Sequence, residues 1–406
     1  MVAVAAMVAA ACSSGGSSSD AADDAGGEPD GAAAATVFAE APSGDDFYVP
    51  PDGDLADYEL GEVLWAAELD PVPGGQAWQV LYRSESLRGE PIVVSGWIVV
   101  PDGEPPAEGA PVLAWAHGTT GVADACALTK SSTPDGGIPF LETFLDMGFV
   151  VAATDYEGLG TPGLHPYVIG PSEAHSVLDS IRAAQRFAGA GDEAIVYGSS
   201  QGGHAAIFSN EEAAEYAPEI DLLGTVSADS GVFAPDADIV TALMTGSLKG
   251  FLVISAVGLN AAYGDEERPL SDYLTPEGIE EAAIVEEVCI GDVIRHFGDV
   301  PPEDLWAPGA FEGAQNPESV AGLNPGSSPL LMVHGRSDEI IPAAVIPGWV
   351  DEVCGLGQVV DLVWFDTGHG VAREDPAGAE AVVIEWIEGR LAGDEPPSVC
   401  GAVPQP

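Results

Sequence analysis

The segment Tyr197-Gly198-Ser199-Ser200-Gln201-Gly202-Gly203 contains the pattern G-x-S-x-G. It directly follows an apolar run at 194–197 that reads as a strand and directly precedes a stretch at 201–214 that reads as a helix. A nucleophile elbow requires that frame, because the serine must occupy a tight turn that lets backbone approach closely on either side. Ser200 fills the serine position, with its hydroxyl at a helix N-terminus whose amides favour developing negative charge. The same letters also describe a glycine-rich strand-to-helix turn without chemistry. Ser199 occupies the variable position and is a neighbour, not a rival.

A serine hydroxyl is a weak nucleophile and needs a base, itself oriented by an acid. In an elbow protein these follow in the order Ser, Asp or Glu, His. Four histidines come after Ser200: His204, His296, His334 and His369. His204 falls inside the helix and is expected to pack there. His296 lies in a stretch that breaks the strand–helix rhythm, and His334 precedes the acid candidate at a strand end. His369 follows the last strand between Gly368 and Gly370, in a loop able to present it, and is the expected base. For the acid, 331–338 reads as a buried strand running into a turn that carries Asp338. Glu339 and Asp366 compete, Asp366 being better suited to a loop cap. An oxyanion hole needs two N–H donors, one expected from Gln201 and one from the glycine turn His117-Gly118-Thr119-Thr120-Gly121, through Gly118 or Thr119.

Elements that could position these groups are legible around them. Runs at 79–82 and 92–100 alternate and are β-branched, as antiparallel strands opening a sheet would be. Short apolar runs at 112–116, 149–153, 194–197, 222–228, 330–333 and 359–365 read as buried strands. Helices are expected at 138–147, at 171–187 with Ser172 as a cap, at 201–214 and at 377–391. Strands alternating with helices predict an α/β fold with a mostly parallel sheet flanked by helices. The core is assigned to 45–232 and 321–406. Between them, 233–320 is mixed apolar and acidic with several Pro and Gly, and is expected to form a helical cap over the sheet's carboxyl edge, where such sheets bind ligands.

Of 406 residues, 66 are acidic and 11 basic, a net charge of −55. Lys130 and Lys249 are the only lysines. Such a surface repels phosphate backbones and argues against nucleic acid as a partner. Self-repulsion of this size is relieved where salt screens it, over about 10 Å at roughly 0.1 M, so a salty or extracellular setting is one reading and plain compositional bias the other. Residues 1–12 form a run of small apolar side chains too short to span a bilayer, with no preceding Lys or Arg. They end in Ala9-Ala10-Ala11-Cys12, which resembles the lipobox of bacterial lipoproteins and implies lipidation of Cys12; an ordinary secretion signal is the alternative. Residues 13–44 are Ser-, Gly-, Ala- and Asp-rich and read as a disordered acidic tether. Cys126, Cys289, Cys354 and Cys400 remain, an even number that favours two disulfides in an exported chain, with three possible pairings. None has metal-ligand spacing, and no metal is expected.

Together these residues resemble the secretory lipases of the fungal lipase A type and their actinobacterial relatives, a branch of the α/β-hydrolases. The likeness covers most of the chain after about residue 45. It rests on Ala116-His117-Gly118-Thr119, on 155–160 with His165-Pro166-Tyr167, on 198–206, on Gly335-Arg336-Ser337-Asp338 and on Gly368-His369. It implies an acyl-binding pocket under the cap and the pairings Cys126–Cys289 and Cys354–Cys400. It also implies that Asp155 and Tyr156 shape the site as substrate-binding residues. The acidic tether and the lipobox depart from the fungal members.

The expectation is a monomeric, cofactor-free lipase or esterase acting on a lipid or other lipophilic ester at the surface or outside of a bacterium, attached to the membrane through lipidated Cys12. A serine peptidase or acyltransferase would share the same acyl-enzyme. A non-catalytic surface lipoprotein that binds apolar ligands is the rival from another class.

Overall fold

A computed structural model describes residues 41–232, 240, 243–311 and 316–406. The leader at 1–12, Cys12 and the tether up to residue 40 lie outside the described residues. Ala41 packs against the small cluster of Phe47, Tyr48, Leu64, Leu81 and Val93. Among the described residues, no helix is long and apolar enough to cross a membrane.

Among the described residues, nine strands form one sheet: β1 (Val63–Glu68), β2 (Gly75–Glu85), β3 (Pro91–Pro101), β4 (Val112–Ala116), β5 (Val150–Thr154), β6 (Glu193–Ser199), β7 (Asp221–Ala228), β8 (Leu330–Gly335) and β9 (Val360–Phe365). Their spatial order is β1-β2-β3-β5-β4-β6-β7-β8-β9. The pairings from β1 through β3 to β5 are antiparallel, and those from β5 to β9 are parallel. The fold is that of an α/β-hydrolase, as expected.

Pleating divides the central strands between two cores. In β4, Val112, Ala114 and Ala116 face the core covered by the helix Gly170–Ala188 and the elbow helix Gln201–Tyr216. Leu113 and Trp115 face the opposite core, closed by Leu141–Asp146 and by Pro376–Leu391 with its buried Trp386 and Ile387. Strands buried on both faces read as continuous apolar runs, which is why β4 to β8 were legible.

Two elements went unread and two local expectations are corrected. β1 was not anticipated: Val63-Leu64-Trp65-Ala66-Ala67-Glu68 does not alternate, and it is an edge strand whose burial fades along its length. The helix Ile346–Leu356 also went unread because Pro347, Gly348 and Gly355 interrupt its pattern. Ser172 is not a cap. Ile169 holds that position, and the Ser172 hydroxyl donates instead to Glu157. The expected helix at 138–147 is shorter, Leu141–Asp146.

Between β7 and β8 the described residues form mainly helices, among them Lys249–Tyr263, Pro276–Ala282 and Ile290–Gly298. They bury their own core, with Val253, Val257, Val293 and Phe297 packed against Tyr167 and Val168 of the sheet body. Cys126 pairs with Cys289, and Cys354 with Cys400. The first bond ties the loop after β4 to the start of Ile290–Gly298, and the Ile290 amide donates to the Thr120 carbonyl at 2.8 Å beside it.

Candidate active site

The turn from β6 into the elbow helix is closed by backbone. A β-carbon on Gly198 would overlap the Gly202 carbonyl, and one on Gly202 would overlap that of Ala116. Glycine at these two places is therefore a steric requirement. Ser200 itself takes φ 57°, ψ −116°, a conformation worth about 1–3 kcal/mol of strain for a residue with a side chain. The turn is held by the Ser200 amide donating to the Ala228 carbonyl at 2.8 Å and by the His204 amide donating to the Ser200 carbonyl at 3.1 Å.

The three side chains singled out from sequence are brought together. His369 Nε2 lies 2.9 Å from Ser200 Oγ, and His369 Nδ1 lies 2.9 Å from Asp338 Oδ2. A carboxylate facing Nδ1 sets that nitrogen as the N–H donor, which leaves Nε2 with a lone pair for the serine proton. Asp338 is buried and also accepts the amides of Ile340 and Ile341. Burial would raise its pKa, but the bond and charge of His369, with those amides, hold it below the usual carboxylate range. Burial would likewise depress His369; the bond and charge of Asp338, backed by Asp229 and Glu339, outweigh it and raise the imidazole above its ordinary 6.5.

The other candidates fall elsewhere. His204 is fully buried and bonds Glu173 through Nδ1 at 2.7 Å. His296 lies on a cap helix beside Glu281. His334 sits behind the acid, 3.4 Å from Asp338 Oδ2. Asp366 is exposed opposite Arg336, and Glu339 accepts the His369 backbone amide at 3.1 Å.

Strands β4 and β6 are hydrogen-bonded neighbours, so the turn after β4 reaches Ser200: a β-carbon on Gly118 would stand 3.5 Å from that of Ser200. This is the topological switch of the sheet, where open α/β sheets place their ligands. Gln201 opens the elbow helix, and a first-turn amide has no acceptor within its own helix.

A model of the secretory lipase family matches residues 133–301. Lipase A of Arthroderma benhamiae is 27% identical, covering 87% of this chain and 80% of its own. The chain is similar to the secretory lipases over part of its length. A second relative, secreted triacylglycerol lipase LIP4 of Malassezia globosa, is 23% identical over 88% of this chain and 83% of its own. The X-ray structure of Candida antarctica lipase A shares the fold, with a TM-score of 0.73 at 20% identity over 88% of this chain and 87% of that one.

The resemblance assigns Asp155 and Tyr156 to substrate binding. Both are buried. Asp155 accepts from Ser95 Oγ at 2.7 Å and from the Thr129 amide at 3.1 Å, while the Tyr156 hydroxyl donates to the His117 carbonyl at 2.9 Å. Tyr156 braces the turn after β4 from below, while Asp155 ties β3 to the short helix Leu128–Ser131.

Two features escaped the sequence reading. One is a buried polar support under the elbow. Gln201 Nε2 donates to Glu173 Oε1 and to His165 Nε2, both at 2.9 Å. Burial pushes His165 down to about 3, so it stays neutral, donating through Nδ1 to the Glu157 carbonyl and accepting through Nε2. The signal was an acid in the first turn of a helix otherwise buried along its length. The second is Asp229, a buried carboxylate closing β7 and bonded into the His369 loop. An acid at the carboxyl end of the strand next to the elbow strand was the clue.

Ser200 and Gln201 line a small cavity of about 50 Å³ with Thr119, Tyr167, Phe251, Leu252 and Ile341 among its walls. A larger one of about 540 Å³ lies among the helices between β7 and β8, bounded by Leu259, Tyr273, Phe311 and Val320 among others. Val168, Leu252 and Ser255 are walls of both.

Proposed function

We propose that this chain is a serine carboxylic ester hydrolase acting on lipophilic esters, acylglycerols among them, with Ser200 as nucleophile, His369 as base and Asp338 as its orienting acid. The observation that carries the reading is the unbroken line Ser200 Oγ–His369–Asp338, 2.9 Å at each step, at the tip of a strained elbow. Ser200 Oγ attacks the ester carbonyl carbon while its proton passes to His369 Nε2. The oxyanion is met by the Gln201 amide and by an amide of the turn at Gly118 and Thr119. Collapse expels the alkoxide, which takes the proton from His369. Water, deprotonated by the same imidazole, then attacks the acyl-enzyme, releases the fatty acid and restores Ser200. No step calls for a cofactor.

The cavities support the lipophilic part. An acyl chain on Ser200 would pass Leu252 and Ser255 into the chamber under the cap, which defines the domain division proposed here: a hydrolase core with residues 233–320 as the cap. The two disulfides and the secreted relatives support an exported enzyme. Attachment to the outside of a bacterial membrane through Cys12 belongs to the same proposal. Release from membranes by Cys12→Ser would support it, and unchanged fractionation would end it.

Hydrolysis of p-nitrophenyl esters from C2 to C16, with Ser200→Ala beside the parent, tests the chemistry. Loss of about a millionfold in kcat is expected; a variant that keeps parental rates would overturn the nucleophile. Matched amides and acyl acceptors, expected to be poor, separate hydrolysis of esters from peptidase and transferase activity.

A further inference from the structure

Asp229 is fully buried and, unusually for a residue with a side chain, lies at positive φ, 47°. Its carboxylate accepts the Val371 amide at 2.7 Å, the Gly370 amide at 3.2 Å and, at 3.4 Å, the Gly335 amide that ends β8. Four consecutive amides of the histidine loop thus donate to carboxylates, since Gly368 donates to Glu374 and His369 to Glu339. Glu339 and Glu374 are exposed, whereas Asp229 is not. A carboxylate taken out of water is tolerated only where such donors replace its hydration, and here the donors belong to the segment that must hold the imidazole. Asp229 also adjoins the acid of the triad, its ligand atom within 4.8 Å of those of His334 and Asp338.

We propose that Asp229 is a positioning residue of the hydrolase: a second buried carboxylate that pins the His369 loop to the end of β7 and keeps negative charge behind the imidazole when Asp338 is neutralised. The proposal rests on the reading of Ser200 and His369 as nucleophile and base. The charged or titratable groups around His369 are Asp338 and Glu339 after β8, His334 within β8, Asp229 at the end of β7, and Arg373 and Glu374 in the turn that follows. Of these, Asp338 and Asp229 are the buried acids, and both favour the imidazolium.

The experiment compares Asp229→Asn, Asp338→Asn and the double variant on a C8 p-nitrophenyl ester across pH. Asparagine keeps an acceptor oxygen for the loop but removes the charge. The expected result for Asp229→Asn is a fall of about tenfold in kcat at constant KM, with the acid limb of kcat/KM moved to lower pH, because an imidazole that loses an anionic neighbour protonates less readily. The double variant should fall about a further tenfold below Asp338→Asn. A parental pH limb in Asp229→Asn, or a double variant equal to Asp338→Asn, overturns the proposal. Should Asp229→Asn fail to fold, hydrogen exchange decides within Asp338→Asn alone. Amides of Gly370 and Val371 that stay protected there support the clamp, and free exchange refutes it. Ser200→Ala separates the two failures, since an active Ser200→Ala removes the underlying mechanism while an ordinary Asp229→Asn beside a dead Ser200→Ala removes this inference only.

Discussion

At the elbow a β-carbon on Gly198 or Gly202 would run into backbone, whereas one on Gly291, in the cap helix Ile290–Gly298, would meet open space. The cap is tight elsewhere, at Gly258, where the Tyr167 amide and carbonyl stand close, and this is a point at which it rests on the sheet body. The catalytic shelf is thus positioned by main chain on main chain, with strands β4, β6, β7 and β8 in register. The cap is positioned mainly by side chains around its own small core, by one disulfide, by the Ile290–Thr120 hydrogen bond and by the close approach of Gly258 to Tyr167. The shelf should therefore be intolerant of atom-sized changes that leave chemistry intact in principle, while the cap should tolerate them and trade only in substrate preference.

The largest effect belongs to the shelf. Asp338→Asn should lower kcat about 10⁴-fold with little change in KM, since an amide facing Nδ1 favours the wrong tautomer. Because the His369 pKa is raised, the base is protonated, and idle, up to a higher pH than an ordinary histidine would be. The parental acid limb of kcat/KM should therefore have its midpoint above 6.5, and it should move down in Asp338→Asn. A cap substitution with a comparable loss in kcat would break the division between the two regions.

A pair of alanine substitutions sharpens it. Gly202→Ala must push against the Ala116 carbonyl and should displace Ser200, lowering kcat by about 10²-fold even where the protein folds. Gly291→Ala fills open space in a helix and should leave kcat unchanged while raising stability by up to about 1 kcal/mol. Thermal melts beside initial rates distinguish these outcomes.

This division also explains what the sequence made legible. Main-chain contacts demand glycine at fixed spacing, so the elbow announced itself around Ser200; of the glycines flanking His369, Gly370 is set by its positive φ of 103°. Strands buried on both faces announced themselves by composition. Groups whose importance lies in a buried partner carried no such mark. Asp229 has the same letter as many surface aspartates, and Glu173 looked like a first-turn acid. Asp155 and Tyr156 stood in a motif that pointed at the site, yet both are buried, and one letter cannot say which side of a loop a side chain supports. β1 and Ile346–Leu356 were missed because an edge strand and a Pro- and Gly-interrupted helix lose their period. Both are stabilised by partners distant in sequence, such as the Trp349 indole donating to the Ala321 carbonyl at 2.8 Å.

Removing the disulfides one at a time gives a smaller contrast. Either pair replaced by alanine should lower stability by about 2–4 kcal/mol. The Cys126–Cys289 pair stitches the cap beside the turn that carries Thr119, so its loss should also raise KM for a C12 ester several-fold more than for a C4 ester. Loss of Cys354–Cys400, which ties the C-terminal segment to Ile346–Leu356, should leave that ratio alone. Equal ratios in the two variants would mean that the cap is held without its bond.

A selective effect, confined to long chains, tests whether the cap chamber holds the acyl chain at all. Leu252 is a wall of both the small cavity at Ser200 and the chamber of about 540 Å³. Replacing it with tryptophan adds bulk where a chain would have to pass and leaves every residue of the triad, the elbow and the turn after β4 in place. Rates on C2 and C4 esters should stay within about twofold of the parent, while those on C12 to C16 esters should fall about tenfold, the range associated with a few misplaced methylenes. A uniform loss across chain lengths would instead indicate that the substitution reaches the shelf. An unchanged profile would place the chain outside the chamber, along another route from Ser200, and leave the cap with no part in choosing the substrate.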